Sequence, residues 1–206
     1  MIARWVMSAG DKRECFAKDS LLDAGNTGNT GVKSMSTDIR KLVRSDREGY
    51  RNLRLRAFQE SPFSFSESYE DEHQESLEFF NSLLGNNSEH FTLGCFSAKR
   101  ELIGIATFKR DQRRKARHKS YVHTMYVAPE FRGKGIAHRL LESLVNSARE
   151  MHGLEQIHLW VLNPESSPAR RLYKKAGFKP QGLVVRKDLL ILDQYVDAEY
   201  MTLELN

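Results

Sequence analysis

The sequence predicts a mixed α/β domain built on one sheet, and three observations support this fold class. Strand-like apolar runs alternate with helix-like apolar spacing from residue 38 to the end of the chain. Gly153 and Gly177 follow two of the helical patterns, where glycine commonly ends a helix. The last stretch, 178–205, is rich in Val, Leu, Ile and Tyr and indicates two antiparallel strands. Alternation of this kind is typical of helices packed on a sheet.

The predicted elements follow in the order β-α-α-β-β-β-α-β-α-β-β. Residues 38–44 form the first strand, and Asp46 caps a helix that extends to about residue 59. A second helix begins at Glu67 or later and ends at Leu84, before Gly85. The remaining predicted elements are a hairpin (91–98 and 102–110), a strand (121–127), a helix (134–151), a strand (156–162), a helix (169–176) and two strands that turn near 193–194.

The first 36 residues differ from the rest of the chain. Residues 23–31 are rich in Gly, Asn and Thr and have no apolar period, which is typical of a flexible segment. We therefore expect a flexible N-terminal extension over 1–36 and a folded domain over 37–206.

Composition excludes several classes of protein. The chain of 206 residues is 40% hydrophobic, enough for a core, but no apolar run approaches the ~18 residues of a membrane span. Cys15 and Cys95 lie far apart, and no Cys/His cluster or His-Glu-x-x-His pattern occurs. We therefore expect no disulfide scaffold, no metal and no membrane association, and we expect the protein to be cytoplasmic.

The net charge of +5 hides two segments of opposite sign. The basic segment, 109–120, holds seven Lys or Arg and one acid, and the acidic segment, 60–90, holds eight acids and no Lys or Arg. A basic run can neutralise phosphates, but this one is short and has no Phe, Tyr or Trp interleaved in it, so nucleic-acid binding is not the favoured interpretation.

The strongest local motif joins the strand 121–127 to the next helix through a glycine-rich turn. Free backbone N–H groups at a helix start bind anions, and Gly133 and Gly135 allow a ligand to approach closely. A P-loop would need Gly-Lys-Ser/Thr, which is absent, and a dinucleotide fingerprint would need a small residue in place of His138. The pattern Arg/Gln-x-x-Gly-x-Gly/Ala is filled by Arg132, Gly135 and Ala137.

With this pattern the sequence resembles the GNAT family of acyl-CoA-dependent N-acetyltransferases. A second motif supports the resemblance: Ser166, Ala169, Leu172, Tyr173, Gly177 and Phe178 match Asn-x-x-Ala-x-x-Leu-Tyr-x-x-x-Gly-Phe, apart from Ser in place of Asn. The resemblance implies a mixed, twisted, mostly antiparallel sheet with helices on both faces. It also implies that the fourth and fifth strands separate to admit acetyl-CoA, and that the protein can form a homodimer.

The resemblance also assigns roles to residues of the two motifs. Backbone groups of Met125, Tyr126 and Val127 would bind the acetyl carbonyl and pantetheine, and Tyr173 would protonate the departing thiolate. Ser166 would either bind pantetheine or begin the following helix. The pyrophosphate would lie on a turn made of Arg132, Gly133, Lys134, Gly135, Ile136, Ala137 and His138.

The general base is open at this stage. His123 lies near the expected acetyl site and has a suitable intrinsic pKa, but a histidine in a strand is more often structural. Glu67 and Glu70 lie in the acidic segment, where the family builds its acceptor site, and either could be a base, a substrate clamp or a solvated carboxylate. A small-molecule amine or a peptide amine would be the acceptor.

The predicted function is therefore transfer of an acetyl group from acetyl-CoA to a primary amine by direct attack. The alternative is a catalytically inactive CoA-binding or nucleic-acid-binding module that uses the basic 109–119 loop. The Ser in place of Asn at 166 and the undecided base keep this alternative open.

Overall fold

A seven-stranded sheet organises the protein, and it is seen in a computed structural model that describes residues 37–205. The predicted extension, 1–36, lies outside the described residues. The strand order is β1-β2-β3-β4-β5-β7-β6, and every neighbouring pair is antiparallel except β4 with β5. The strands are β1 (Asp38–Lys41), β2 (His90–Phe96), β3 (Leu102–Arg110), β4 (Lys119–Val127), β5 (Gln156–Leu162), β6 (Lys179–Ile191) and β7 (Gln194–Glu204).

Within residues 37–205, five α-helices lie among these strands, one more than the sequence predicts. They are α1 (Arg47–Glu60), α2 (Tyr69–Glu72), α3 (Leu77–Leu84), α4 (Ile136–Arg149) and α5 (Pro168–Lys175). Gly85 and Gly177 follow α3 and α5 with φ values of 68° and 96°, a left-handed backbone that glycine adopts without strain. The mixed, mostly antiparallel sheet of the sequence prediction is thus confirmed.

The second predicted helix is in fact two helices, α2 and α3. Ser68 begins α2 by accepting a hydrogen bond from the Asp71 N–H, and Ser76 begins α3 by accepting one from Phe79. Glu72, the last residue of α2, is buried rather than solvated. The first strand also ends earlier than predicted, at Lys41.

Helices cover both faces of the sheet, as predicted. On β4, the Tyr126 hydroxyl donates to Glu60 of α1, whereas the adjacent Met125 contacts Tyr173 of α5. Consecutive strand residues point to opposite faces, so α1 and α5 lie on opposite sides. Helix α4 shares a cavity with α5, through His138 and Leu172 among others, and hence lies on the same face as α5. The core is therefore formed in two layers, one on each side of the sheet.

Candidate active site

The parallel strands β4 and β5 separate soon after they begin. They pair over three residues only, from Lys119 with Gln156 to Tyr121 with His158. Strand β4 continues to Val127 without pairing with β5, which pairs instead with β7 along its whole length. The sheet therefore contains a gap beside the second half of β4, as the resemblance implies.

Two residues of β4 direct their backbone groups into this gap. The Ala128 N–H donates to the Ile103 carbonyl at 3.0 Å, so Ala128 belongs to a hydrogen-bonded pair with β3. Hydrogen-bonded and open pairs alternate along an antiparallel ladder, so Tyr126 also bonds β3, while Met125 and Val127 do not. The N–H and C=O groups of Met125 and Val127 consequently face the gap, and those of Tyr126 face β3.

The turn after β4 presents backbone N–H groups at the start of α4. Gly133 and Gly135 have φ values of 75° and 74°, and a Cβ atom at either would meet nothing within 4 Å, so the turn is open to a ligand. Gly135 precedes the first helical residue, Ile136. The N–H groups of Ile136, Ala137 and His138 are those that a helix cannot satisfy internally. The turn can therefore bind an anion such as a pyrophosphate.

Charged side chains around this turn have distinct partners. Arg132 folds back, and its Nε donates to the Val127 carbonyl at 2.9 Å, while its Nη2 is buried with no hydrogen-bond partner. Lys134 is exposed, and its Nζ donates to the Glu130 carbonyl at 3.2 Å. His138 is exposed as well. Arg132 thus holds the end of β4 in place, while Lys134 and His138 remain accessible to an anion.

Tyr173 places its hydroxyl at the gap. The residue is fully buried in α5, and its hydroxyl lies 3.7 Å from the Met125 Sδ atom. Burial raises the pKa of Tyr173, so the phenol stays protonated at neutral pH. A protonated hydroxyl beside Met125 is suited to donate a proton to a leaving group bound in the gap.

The segment before α5 contains Ser166 and Ser167. Ser166 is exposed, and its hydroxyl lies 3.5 Å from the Asn163 carbonyl, which is at the limit of a hydrogen bond. Ser167 is the residue that immediately precedes α5, and its hydroxyl is buried with no hydrogen-bond partner. The position that begins the helix is therefore Ser167, and the exposed Ser166 hydroxyl is accessible to a ligand.

His123 and Glu67, two candidate bases from the sequence analysis, line the same small cavity. This polar cavity of about 110 Å³ lies between α1 and strands β2 to β4. His90 and Lys109 also line it. Burial, followed by the charges of Lys109, His90 and Arg54, lowers the pKa of His123 to about 3. The imidazole is therefore neutral at pH 7 and is a weaker base than a solvated histidine.

A larger cavity of about 570 Å³ lies outside the polar one, under the turn of the β6–β7 hairpin. One wall carries Glu67, Glu70 and Asp71, and the opposite wall is the apolar stretch 189–192. Within residues 37–205, no lysine or arginine forms an ion pair with these three carboxylates. Glu67 lines both cavities, so it stands where a molecule in the outer cavity would meet the polar one.

His90 and Lys109 are site residues that the sequence reasoning missed. They face each other across the β2–β3 hairpin, where His90 pairs with Lys109. The sequence predicts this hairpin, but with a first strand that begins at residue 91, and a bulge between Cys95 and Phe96 shifts the pairing that the turn alone would set. The pairing of these two residues could therefore not be predicted from the sequence, and neither residue belongs to a motif.

The basic segment is largely occupied by structural contacts. Arg110 and Arg117 both form ion pairs with Glu89, and Arg113 pairs with Asp111. Arg110 is mostly buried and also donates to two backbone carbonyls, so it anchors the loop rather than presenting charge to solvent. Fewer cations are thus available for phosphates than the sequence suggests.

Among the described helices, none is both long and apolar enough to cross a membrane. Residues 37–205 contain no group of three or more His, Cys, Asp or Glu side chains arranged to hold a metal ion.

Comparisons with known proteins point to one family. A family model described as "Acetyltransferase (GNAT) family" matches residues 50–178. A comparison with curated proteins gave no match.

Several solved structures share the fold. An N-acetyltransferase from Staphylococcus aureus Mu50 is 18% identical, with 83% of this chain and 99% of that chain covered and a TM-score of 0.70. A phosphinothricin acetyltransferase from Sinorhizobium meliloti, solved with acetyl-CoA, is 20% identical over 84% of this chain and 90% of that chain, with a TM-score of 0.69. A ribosomal-protein-alanine N-acetyltransferase from Brucella melitensis is 20% identical over 81% of this chain and 98% of that chain, with a TM-score of 0.67.

Proposed function

Because this chain belongs to the acetyltransferase (GNAT) family, we propose that it transfers an acetyl group from acetyl-CoA directly to a primary amine. The observation that carries this proposal is the gap between β4 and β5, with the Tyr173 hydroxyl next to Met125 inside it. A thioester bound there would meet backbone N–H donors on one side and a buried acid on the other.

The cosubstrate would extend from the gap to the glycine turn. The N–H groups of Met125 and Val127 that face the gap are suited to the acetyl carbonyl and the pantetheine arm. The pyrophosphate would lie on the turn that begins at Arg132 and continues through Gly133, Lys134, Gly135, Ile136, Ala137 and His138. Ser166 would contact the pantetheine arm. The open space above both turn glycines supports this placement.

In the reaction, the neutral amine nitrogen attacks the thioester carbonyl carbon. The C–N bond forms, the C–S bond breaks, and the negative charge that develops on the oxygen is stabilised by the β4 N–H groups. The CoA thiolate takes the proton of the Tyr173 hydroxyl, which solvent later restores. The proton of the amine leaves toward the polar cavity, where we assign its acceptance to the Glu67 carboxylate, because the lowered pKa makes His123 a weak base.

The acceptor would be a cationic amine, either a small molecule or a peptide amine. Glu67, Glu70 and Asp71 give the outer cavity a negative wall that attracts cations. The amine of a peptide or of a polyamine carries the matching charge. The cytoplasmic location of the enzyme is a prediction that cell fractionation can check. The homodimer is a prediction that light scattering can check.

The test combines two measurements. Calorimetry with acetyl-CoA, with free CoA for comparison, measures cosubstrate binding, and a thiol-release assay screens polyamines, aminoglycosides and peptide N-termini as acceptors. Binding together with amine-dependent thiol release is expected. No binding at high micromolar acetyl-CoA would refute the proposal, and binding without release across the panel would favour the inactive CoA-binding module.

A further inference from the structure

Arg54 lies in the middle of α1 and is almost completely buried, with 5% of its surface exposed. Its Nε and Nη2 atoms donate to the two carboxylate oxygens of Glu72, both at 2.7 Å. Its Nη1 donates to the Thr124 hydroxyl at 2.5 Å, and the guanidinium lies 4.8 Å from the centre of the Phe58 ring. Every nitrogen of the guanidinium thus has a defined partner.

These partners belong to two separate parts of the proposed site. Glu72 is the last residue of α2, the short helix that follows Glu67 and carries Glu70 and Asp71 on the acceptor side. Thr124 lies in β4 at a bulge, where Thr107 of β3 stands opposite both His123 and Thr124. The next residue, Met125, faces the gap. Arg54 therefore joins the acceptor side to the acetyl side through a single side chain.

Stability alone is a weak explanation for this ion pair. Removing two charges from water is costly, and apolar pairs of similar volume often replace buried ion pairs without loss of stability. A directional network does something that an apolar pair cannot do, because it fixes the angle and distance between the groups it joins. Helix α2 has only four residues and cannot hold its own position, so an external tie is needed there.

We propose that Arg54 is a positioning residue that holds α2 and the β4 bulge in register, so that the acceptor amine meets the acetyl group. The inference rests on the proposed function. The proposal predicts different effects on the two substrates. The amine would lie between α2 and β4, which Arg54 joins. The glycine turn that would bind CoA lies at the start of α4, on the other face of the sheet.

The test uses two Thr124 variants that differ in the bond to Arg54, and one control variant that leaves this bond intact. Thr124→Val removes the acceptor hydroxyl at nearly constant volume, and Thr124→Ser keeps it. Thr92→Val is the matched control, because Thr92 is also a buried strand threonine whose hydroxyl has one threonine partner, at 2.9 Å. Melting temperature, the Kd for acetyl-CoA, and the kcat and KM for the amine are measured for each.

We expect Thr124→Val to lower kcat/KM for the amine about tenfold or more, since it removes a hydrogen bond to a charged group. The Kd for acetyl-CoA should stay within about twofold, and Thr124→Ser should restore turnover. Thr92→Val should lower the melting temperature without a selective loss of kcat/KM for the amine. Equal turnover of Thr124→Val and Thr92→Val would overturn the inference.

A double variant, Arg54→Met with Glu72→Leu, tests the pair without leaving a lone buried charge. It should fold, bind acetyl-CoA and lose amine turnover, and hydrogen exchange should accelerate in α2 and around Thr124. Wild-type exchange rates with full amine turnover would overturn the inference. A wild-type protein that releases no thiol with any amine would instead refute the proposed function, and the exchange measurement would still decide the role of Arg54.

Discussion

Replacing Tyr173 by Phe isolates one hydroxyl group, and the structure permits an estimate of both its structural and its catalytic effect. Within residues 37–205, the one hydrogen-bond partner of this hydroxyl is the Met125 Sδ atom at 3.7 Å, which is a weak bond. Its loss should cost at most about 1 kcal/mol of stability, and the ring should keep its place against Phe178. The variant should therefore fold and bind acetyl-CoA normally.

The catalytic effect of Tyr173→Phe should be much larger. A positioned general acid contributes about 10²- to 10⁴-fold to rate, which corresponds to about 2.7–5.4 kcal/mol of barrier. Because burial raises the pKa of Tyr173, wild-type activity should show no loss of this acid between pH 7 and 9. The measurement is kcat from thiol release with a saturating amine, beside the Kd for acetyl-CoA from calorimetry.

Tyr200→Phe is the control, because it removes a hydroxyl from a half-buried tyrosine on β7. It should change kcat by less than about threefold, a difference within ~0.7 kcal/mol. If Tyr173→Phe keeps the wild-type kcat while binding acetyl-CoA, another group protonates the thiolate and the role assigned to Tyr173 is refuted.

Three further predictions concern the glycine turn, the acceptor wall and the buried imidazole. Gly135→Ala forces a side chain to adopt φ of 74°, at a cost of about 1–2 kcal/mol, and should weaken acetyl-CoA binding about 5- to 30-fold by calorimetry. Glu70→Gln should raise the KM of a cationic amine at low salt, and the effect should shrink as salt increases. His123→Asn should make unfolding free energy, measured with urea, less sensitive to acid than in the wild type.

The sign of the last effect follows from the pKa of His123, about 3 in the folded protein and about 6.5 when unfolded. Between these values the unfolded chain binds the extra proton, so wild-type stability falls as pH decreases from 6.5 toward 3. An unchanged dependence of the unfolding free energy on pH in His123→Asn would contradict the lowered pKa.

The other two predictions have matched controls. Gly182→Ala is the control for Gly135→Ala, because Gly182 has φ of 72° with open space around it. Glu75→Gln is the control for Glu70→Gln, because Glu75 is exposed outside the acceptor cavity. Equal effects in control and test would refute the assigned sites.

The local motifs predicted the parts of the site that depend on neighbouring residues. The run from Met125 to His138 contains a strand, a turn and a helix start in one stretch of sequence, and all three form there. Gly133 and Gly135 adopt a left-handed backbone that few other residues tolerate. The turn could therefore be predicted from these two glycines without knowledge of any long-range contact. Tyr173 could likewise be placed through its own short motif.

What the sequence could not predict depends on contacts between distant residues. The break between α2 and α3 accompanies the inward turn of Glu72, which meets Arg54 eighteen positions away. A run of acids has the same composition whether it is solvated or paired, so charge patterning could not identify the one buried carboxylate. The bulge at Thr124 could not be predicted from the sequence either, because a bulge is defined only relative to the partner strand.

The gap beside β4 also has a consequence for the lifetime of the protein. Backbone groups of Met125 and Val127 have no strand to pair with on that side, so under the proposed function the pantetheine arm serves as a partial strand of the sheet. A ligand that binds only the folded chain stabilises it by an amount that grows with the logarithm of its concentration, about 2.7 kcal/mol at 100 times Kd. Resistance to unfolding and proteolysis would then follow the acetyl-CoA supply, and the enzyme would persist longest when its donor is abundant.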